Sequence, residues 1–275
     1  MKKKYTIHEL EDQALEIRKV MIEMGFSCGT SSHFGGGLSM VELLTFLYGN
    51  ILKYDIKNPR WEKRDRFILS KGHGVLGFYA TLYAFGFIGK EELDSFQQDE
   101  SEFIAHPIMD LDFGIESSNG SLGHGLSLGV GIAMAAKLKK EDFKVFVMLG
   151  DGECNEGSVW EAIMSAYHHK LNNLVAIVDR NSMQNDGESK DVMDFYALDK
   201  AWEGFGWNVL NIDGHNFLEI DKAFKLNKNS DKPTVVIAKT IKGKGISFME
   251  NVPSWHHGKL TDNTYQQAMQ ELEGK

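Results

Sequence analysis

Apolar residues open the chain at helical spacing: Leu10, Ala14, Ile17 and Met21 share one face of a helix running roughly from Ile7 to Met24. Thr6 and Glu9 stand where a capping box would start that helix, and Gly25 where a C-terminal stop would end it. A glycine-rich loop, Gly29 to Gly37, carries His33 and leads into a second helix from Ser39 to Tyr48. After a polar stretch around Asn58-Pro59, Phe67-Ile68-Leu69 reads as a short strand. It ends at Ser70-Lys71-Gly72-His73-Gly74, where another helix begins. From His106 to Gly125 regular periodicity gives way to Gly, Ser and Asn, and a loop of that length inside a compact domain is usually functional.

The second half alternates. Val145–Leu149, Leu174–Val178, Trp207–Ile212 and Val235–Ala238 read as strands, separated by helices at Gly157–His169, about 194–205 and Phe217–Leu226. Their hydrophobicity is continuous, which marks strands buried on both faces and predicts a parallel sheet with helices on each side. The expected fold is α/β: a doubly wound, mostly parallel sheet. No repeat, low-complexity tract or linker divides it, so residues 1–275 are expected to form one domain, with a tail from about 250 to 275 packed on it. The longest apolar candidate, Leu122 to Leu138, falls short of the ~18 uninterrupted residues of a membrane span. Its glycines and alanines predict a buried, closely packed helix.

Composition narrows the function. The chain has 275 residues, 42% of them hydrophobic and 25% charged, enough for a proper core. An excess of 39 acidic over 30 basic residues gives a net charge of −9, which argues against sequence-independent nucleic-acid binding. An anionic ligand therefore needs a local site made of backbone amides, histidines or a metal. Cys28 and Cys154, with no CxxC, exclude a cysteine zinc site and fit a reducing compartment. The lysines after Met1 precede no apolar stretch, so no signal peptide is read there. The expectation is a soluble, cytoplasmic protein without membrane or nucleic-acid partners.

In sheets of this kind ligands bind beyond the carboxyl ends of the strands. Two strands end in Leu149-Gly150-Asp151-Gly152 and Asp179-Arg180-Asn181. If those strands are neighbours, Asp151 and Asn181 project into one crevice. A carboxylate and an amide oxygen there suit a hard cation such as Mg²⁺, which takes further oxygens from a phosphate ligand. Gly150 and Gly152 let the backbone approach a diphosphate. Alone, each motif reads as a turn; together, at matched strand ends, they favour the cation. Gly72-x-Gly74-x-x-Gly77 is formally a dinucleotide fingerprint, but that needs a second strand ending in an acid ~20 residues on. Tyr79 to Phe96 reads instead as helix, loop and helix, and no GxxxxGK[ST] is present to cradle a nucleotide.

The GDG motif with its later asparagine resembles the signature of thiamine-diphosphate enzymes, and nearly the whole chain is similar to transketolase. The resemblance runs through SSHFGGGLS (31–39), DRFILSKGHG (65–74), His106-Pro107, NGSLGHG (119–125), GDGECNEG (150–157) and WHHG (255–258). It implies that Asp151, Asn181 and the backbone carbonyl of Met183 hold Mg²⁺, or Ca²⁺ or Mn²⁺ in its place, against the cofactor's diphosphate. It implies further that His73 and His257 contact that diphosphate, beside Gly152, with phosphate favouring the charged imidazole. His33, His106 and His257 would face the substrate and handle its protons. Gly120 and Leu122 would line the aminopyrimidine and thiazolium site, and Glu156 would join a carboxylate network near the subunit boundary. His124 replaces a usual glutamine, His256 competes with its neighbour His257, and Lys242 and Lys244 either neutralise phosphate or belong to a solvated loop.

The resemblance covers roughly the first two-fifths of a transketolase, its diphosphate-binding domain. The glutamate that activates the cofactor's pyrimidine lies in a domain beyond that. The implied protein is the N-terminal subunit of a split transketolase of the pentose phosphate type, completed by a C-terminal subunit with the pyrimidine-binding domain in a heterotetramer. Its reaction would carry a two-carbon ketol unit from a ketose phosphate to an aldose. Half of a related transferase for a modified sugar, or a non-catalytic cofactor-binding subunit, remain alternatives. The helix at 122–138 and the aromatic residues around Trp160 are candidates for the subunit contact.

Overall fold

The computed structural model describes residues 4–194, 197–227 and 230–274. Among them, β1 (Arg66–Leu69), β2 (Val145–Gly150), β3 (Leu174–Arg180), β4 (Asn208–Asp213) and β5 (Thr234–Lys239) form one parallel sheet in the order β1-β2-β3-β5-β4. The helices in chain order are α1 (Ile7–Ser27), α2 (Phe34–Leu38), α3 (Val41–Phe46), α4 (Val75–Ala84), α5 (Lys90–Asp94) and α6 (Gly125–Lys139). There follow α7 (Gly157–His168), α8 (Ser189–Val192), α9 (Leu198–Gly204), α10 (Phe217–Asn227) and α11 (Asp262–Glu273). The predicted helix at 194–205 is seen as α9, and residues 195 and 196 lie outside the described ones.

The central strands are apolar up to their carboxyl ends because each serves two cores. Phe146, Met148, Val175, Ile177 and Val236 pack with Ile17 and Met21 of α1, Leu76 of α4 and Phe224 of α10. Their neighbours Val147, Leu149, Ala176, Val178 and Ile237 pack on the other face with Ala133 of α6, Ile163 of α7 and Trp202 of α9. Burying both faces excludes water from the ladder and leaves the strand ends as the place where polar side chains gather. Among the described residues no helix is long and apolar enough to cross a membrane.

Several local expectations are corrected. Thr6 and Glu9 do form the capping box of α1, but the helix runs through Gly25 to Ser27, and it is Gly29 that takes positive φ. Gly25 is required for contact instead: a Cβ there would stand 2.5 Å from the Phe34 ring. The stretch read as a glycine-rich loop contains α2, whose glycines allow close approach rather than flexibility. A Cβ on Gly37 would come within 2.9 Å of the Met21 methyl and 3.1 Å of the Gly77 nitrogen. The second helix breaks into α3 and a π-helical turn, Leu47–Ile51. α6 is buried on one face only; Gly129 brings it onto Val147, while Leu128 and Leu138 are 44% and 83% exposed.

The tail lies on the first core. Ser32 and Gly258 exchange backbone hydrogen bonds of 2.8 and 3.0 Å, Tyr265 stacks on Phe26 at 4.2 Å, and Ala268 and Leu272 are fully buried. These contacts bring the WHHG segment alongside α2 and so alongside His33.

The α2–α4 approach yields a prediction. A Cβ on Gly77 would lie 2.7 Å from the Gly37 carbonyl oxygen, whereas nothing lies within 4 Å of one on Gly131. Gly77→Ala should lower stability by about 1–3 kcal/mol, and Gly131→Ala in the exposed interior of α6 should raise it by about 0.5–1 kcal/mol. Denaturant midpoints that fail to separate the two variants would show that the contact is not tight.

Candidate functional site

β2 and β3 are adjacent, with Gly150 opposite Asp179, and the Asp151 N–H donates to the Asp179 carbonyl at 3.2 Å. Both strands therefore release their next residues at one edge. The Asp151 carboxylate accepts the N–H groups of Gly152 (2.8 Å) and Ser182 (2.6 Å). Asn181 donates through Nδ2 to Asp179 Oδ2 (3.3 Å), and its Oδ1 accepts the Met183 N–H (3.1 Å). Because the amide nitrogen must face the Asp179 carboxylate, the amide oxygen is turned away from it.

Asp179 and Lys71 are both essentially without solvent exposure and are joined as an ion pair. Lys71 also donates to the Gly36 carbonyl (2.8 Å), and Asp179 accepts Ser39 Oγ–H (2.5 Å) and the Thr240 hydroxyl. Burial alone would raise the Asp179 carboxyl; Lys71, Ser39 and Thr240 outweigh it and hold it below the usual range. Glu153, also buried, is the second organising carboxylate. It accepts the Ser70 hydroxyl and the N–H groups of Gly123 (2.9 Å) and Gly150 (3.0 Å), tying the NGSLGHG loop to the GDG turn.

A cleft of about 470 Å³ opens at this edge. Asp151, Gly152, Asn181, Met183, Glu156, Gly120, Leu122, His33 and His73 all line it. His106 and His257 are not in that lining; they stand against His33, with ring centroids 5.8 and 4.4 Å away. Two further lining residues escaped assignment from the sequence. Lys242 is 2% exposed, so it is no solvated loop residue. Its ammonium donates to the carbonyls of Met183 (3.2 Å) and Gln184 (3.1 Å) and to His256 Nδ1 (2.7 Å). His256 in turn stacks on His73 at 5.2 Å. Lys244, by contrast, points away, 3.4 Å from Glu250. The one available signal for Lys242 was its place next to Gly243, three residues after the end of β5.

The electrostatics follow from crowding and burial. Burial, then the Asp179 charge, pushes Asp151 up to about 6. Burial, then Lys71, pulls Lys242 down to about 8. Burial and neighbouring positive groups take His33 down to about 4 and His256 to about 3, and hold His73 and His106 below the ordinary histidine range. These imidazoles are neutral at physiological pH, so with Lys71 beside it His73 offers a neutral N–H rather than a charged one. The oxygens of Asp151, Asn181 and Met183 are hard donors, and a divalent ion beside them would relieve the crowding of Asp151 against Asp179. The Met183 carbonyl already accepts from Lys242; its second lone pair is what an ion would use. Among the described residues no three His, Cys, Asp or Glu side chains form a chelating cluster.

The fold is an α/β domain with its polar groups gathered at the carboxyl edge of a parallel sheet, the general position for phosphate-bearing ligands. Residues 13–274 match the family described as transketolase, thiamine diphosphate binding domain, and the chain belongs to that family. It is 42% identical over 267 residues to an apulose-4-phosphate transketolase subunit of Phocaeicola vulgatus, an alignment covering 97% of this chain and 94% of that one. It is 40% identical over 266 residues to a 6-deoxy-6-sulfo-D-fructose transketolase subunit of Clostridium sp., covering 96% of each. The transketolase structure from Campylobacter jejuni superposes with a TM-score of 0.91 at 32% identity, over 98% of this chain and 43% of that one. The chain thus spans less than half the length of that solved transketolase.

The charges generate two predictions. Asp151 prefers its protonated form in the folded chain, so its ionisation above about pH 6 is destabilising. Stability should therefore gain as pH falls from about 6 toward the unfolded value of about 3.9, and Asp151→Asn, which cannot titrate, should remove that gain in a pH series of melting curves; an unchanged slope would refute the charge crowding. The depressed histidines have the opposite sign. Between the unfolded value of about 6.5 and the folded values, down to about 4 for His33, the unfolded chain takes up protons that the folded chain refuses. Stability should fall as pH drops through that window, and His33→Gln should flatten the slope in a pH series of melting curves.

Proposed function

We propose that this chain is the N-terminal subunit of a two-chain transketolase, which moves a two-carbon ketol unit from a ketose phosphate to an aldose acceptor with Mg²⁺ and thiamine diphosphate. The observation that carries this is the meeting, at one sheet edge, of the Asp151–Asn181–Met183 oxygens with a cluster of histidines around His33. In the proposed roles Asp151, Asn181 and the Met183 carbonyl hold the cation, and His73, Lys242 and the backbone at Gly152 receive the diphosphate. Gly120 and Leu122 flank the ring system, and Glu156, exposed at the cleft's margin, faces the neighbouring subunit. Thiamine diphosphate, when bound, supplies the electron sink that carbon–carbon cleavage requires. His33, His106 and His257 hold and transfer protons at the substrate's carbonyl and hydroxyl oxygens. A neutral imidazole can accept a hydroxyl proton without first losing its own.

The group that activates the pyrimidine comes, in this proposal, from a partner chain, with two copies of each chain forming a heterotetramer. The relatives that this chain matches nearly end to end are named as subunits, which supports a partner. α6 and α7 offer it exposed apolar side chains, Leu128, Leu138, Met164 and Tyr167. Trp160 instead packs inside the chain, near Trp202 and Phe205. The names of the relatives, apulose 4-phosphate and 6-deoxy-6-sulfofructose, favour a modified ketose over a pentose phosphate as donor. Two free, buried cysteines fit a cytoplasmic setting.

Assayed alone with Mg²⁺ and thiamine diphosphate, the chain should transfer no ketol unit. With its partner, activity should rise at least about a hundredfold, and chelation of the divalent ion should abolish it. A panel of ordinary and modified ketose donors then identifies the substrate; turnover by the isolated chain would sink the split-site proposal.

A further inference from the structure

His215, in the turn between β4 and α10, stands outside the cleft, yet both its ring nitrogens are engaged. Nε2 accepts the Ile241 N–H (2.9 Å), which leaves the Nδ1 proton for Glu42 Oε2 (2.9 Å). Glu42 accepts Arg18 Nη2 on both oxygens (2.7 and 2.9 Å), and Arg18 Nε donates to the Lys244 carbonyl (3.0 Å). Burial would raise the Glu42 carboxyl, but Arg18 and His215 reverse this and keep it ionised. One buried triad, drawn from α1, α3 and the β4–α10 turn, therefore grips the segment 241–244 at both ends. Between those grips the Lys242 carbonyl accepts the Asn251 N–H (2.8 Å) and the Gly243 N–H donates to Gly35 (3.0 Å). The residue so framed is the one whose ammonium enters the cleft.

A buried ion pair is weak evidence of stabilisation, because apolar residues of the same volume often serve the fold as well. Fixing a backbone is a different matter. Lysine has a long, rotamer-rich stem, so where its ammonium stands depends on how firmly its own backbone is held. We infer that His215 is a positioning residue for Lys242: with Glu42 and Arg18 it sets the 241–244 backbone so that the Lys242 ammonium stands at the diphosphate end of the cleft, an inference resting on the cofactor function proposed above.

The test is a double-mutant cycle read as affinity for magnesium thiamine diphosphate, by quenching of tryptophan fluorescence in the full chain with its partner present and no sugar added. Lys242→Ala and His215→Phe should each weaken binding about tenfold, and the double variant should be no weaker than Lys242→Ala within about threefold. His215→Gln, whose amide can accept from Ile241 and donate to Glu42, should restore most of the affinity. Should the phenylalanine variant fail to fold, Glu42→Gln, of the same shape, carries the same cycle. Additive losses, or wild-type affinity in either single variant, would overturn the positioning role and leave the cofactor function standing. No binding by the wild-type complex would overturn both.

Discussion

The ion pair between Lys71 and Asp179 is sealed at the carboxyl edge of the sheet, reaching from the end of β1 to the end of β3 across the end of β2. Removing one member of such a pair strands a buried charge, typically at about 3–5 kcal/mol. Its geometric consequence is wider. The Asp179 carboxylate also accepts from Ser39, Thr240 and Asn181, so α2, α3 and the ends of β3 and β5 are referred to one carboxylate. The amide of Asn181 has its orientation from that contact, and Asp151 owes part of its raised pKa to the same negative charge. One interaction thus sets both the direction of a candidate ligand oxygen and the electrostatic demand for a cation beside it.

That arrangement resolves an apparent conflict in the chain's charge. A protein with a net charge of −9 has no long-range field to draw in an anion. The cleft compensates locally, with Lys242 held among carbonyls and an imidazole. His33, His73 and His256 remain neutral because they are buried among positive neighbours, so the cleft is not overloaded with charge before a ligand arrives. Under the proposed function this separates two tasks: lysine and backbone meet phosphate charge, and neutral imidazoles handle protons.

The sheet was legible in the sequence because burial on both faces leaves an unambiguous mark. Phe146 and Val147 face different cores, so no polar residue interrupts β2. The pairing of Asp151 with Asn181 was legible for the same reason, since two parallel strands in register bring their ends together. The glycines misled. Gly25 and Gly35 to Gly37 read as a stop and a loop by local rule, but Phe34, Met21 and Gly77 lie so close that side chains are excluded, and helix packing overrides propensity. Lys242 was illegible because its environment is assembled from afar: Met183 lies 59 positions away and Arg18, which grips its loop, some 226 from Lys244. His256 was hidden by its neighbour, for sequence alone does not say which of two adjacent histidines turns inward.

The two cores also bear on how much of its own burial this chain supplies. Each face of the sheet is covered by helices from within the chain. The cleft is different. Its charged end is complete, with Asp179, Glu153 and Lys71 all buried, but Val192 and Met193 on its wall are 40% and 60% exposed, and Gly120 and Glu156 also face outward. Apolar wall residues left open to water are poor partners for an aromatic ring system, which binds largely by exclusion of solvent. Under the proposed function, the buried end of the cleft anchors the diphosphate and the exposed end takes the rings.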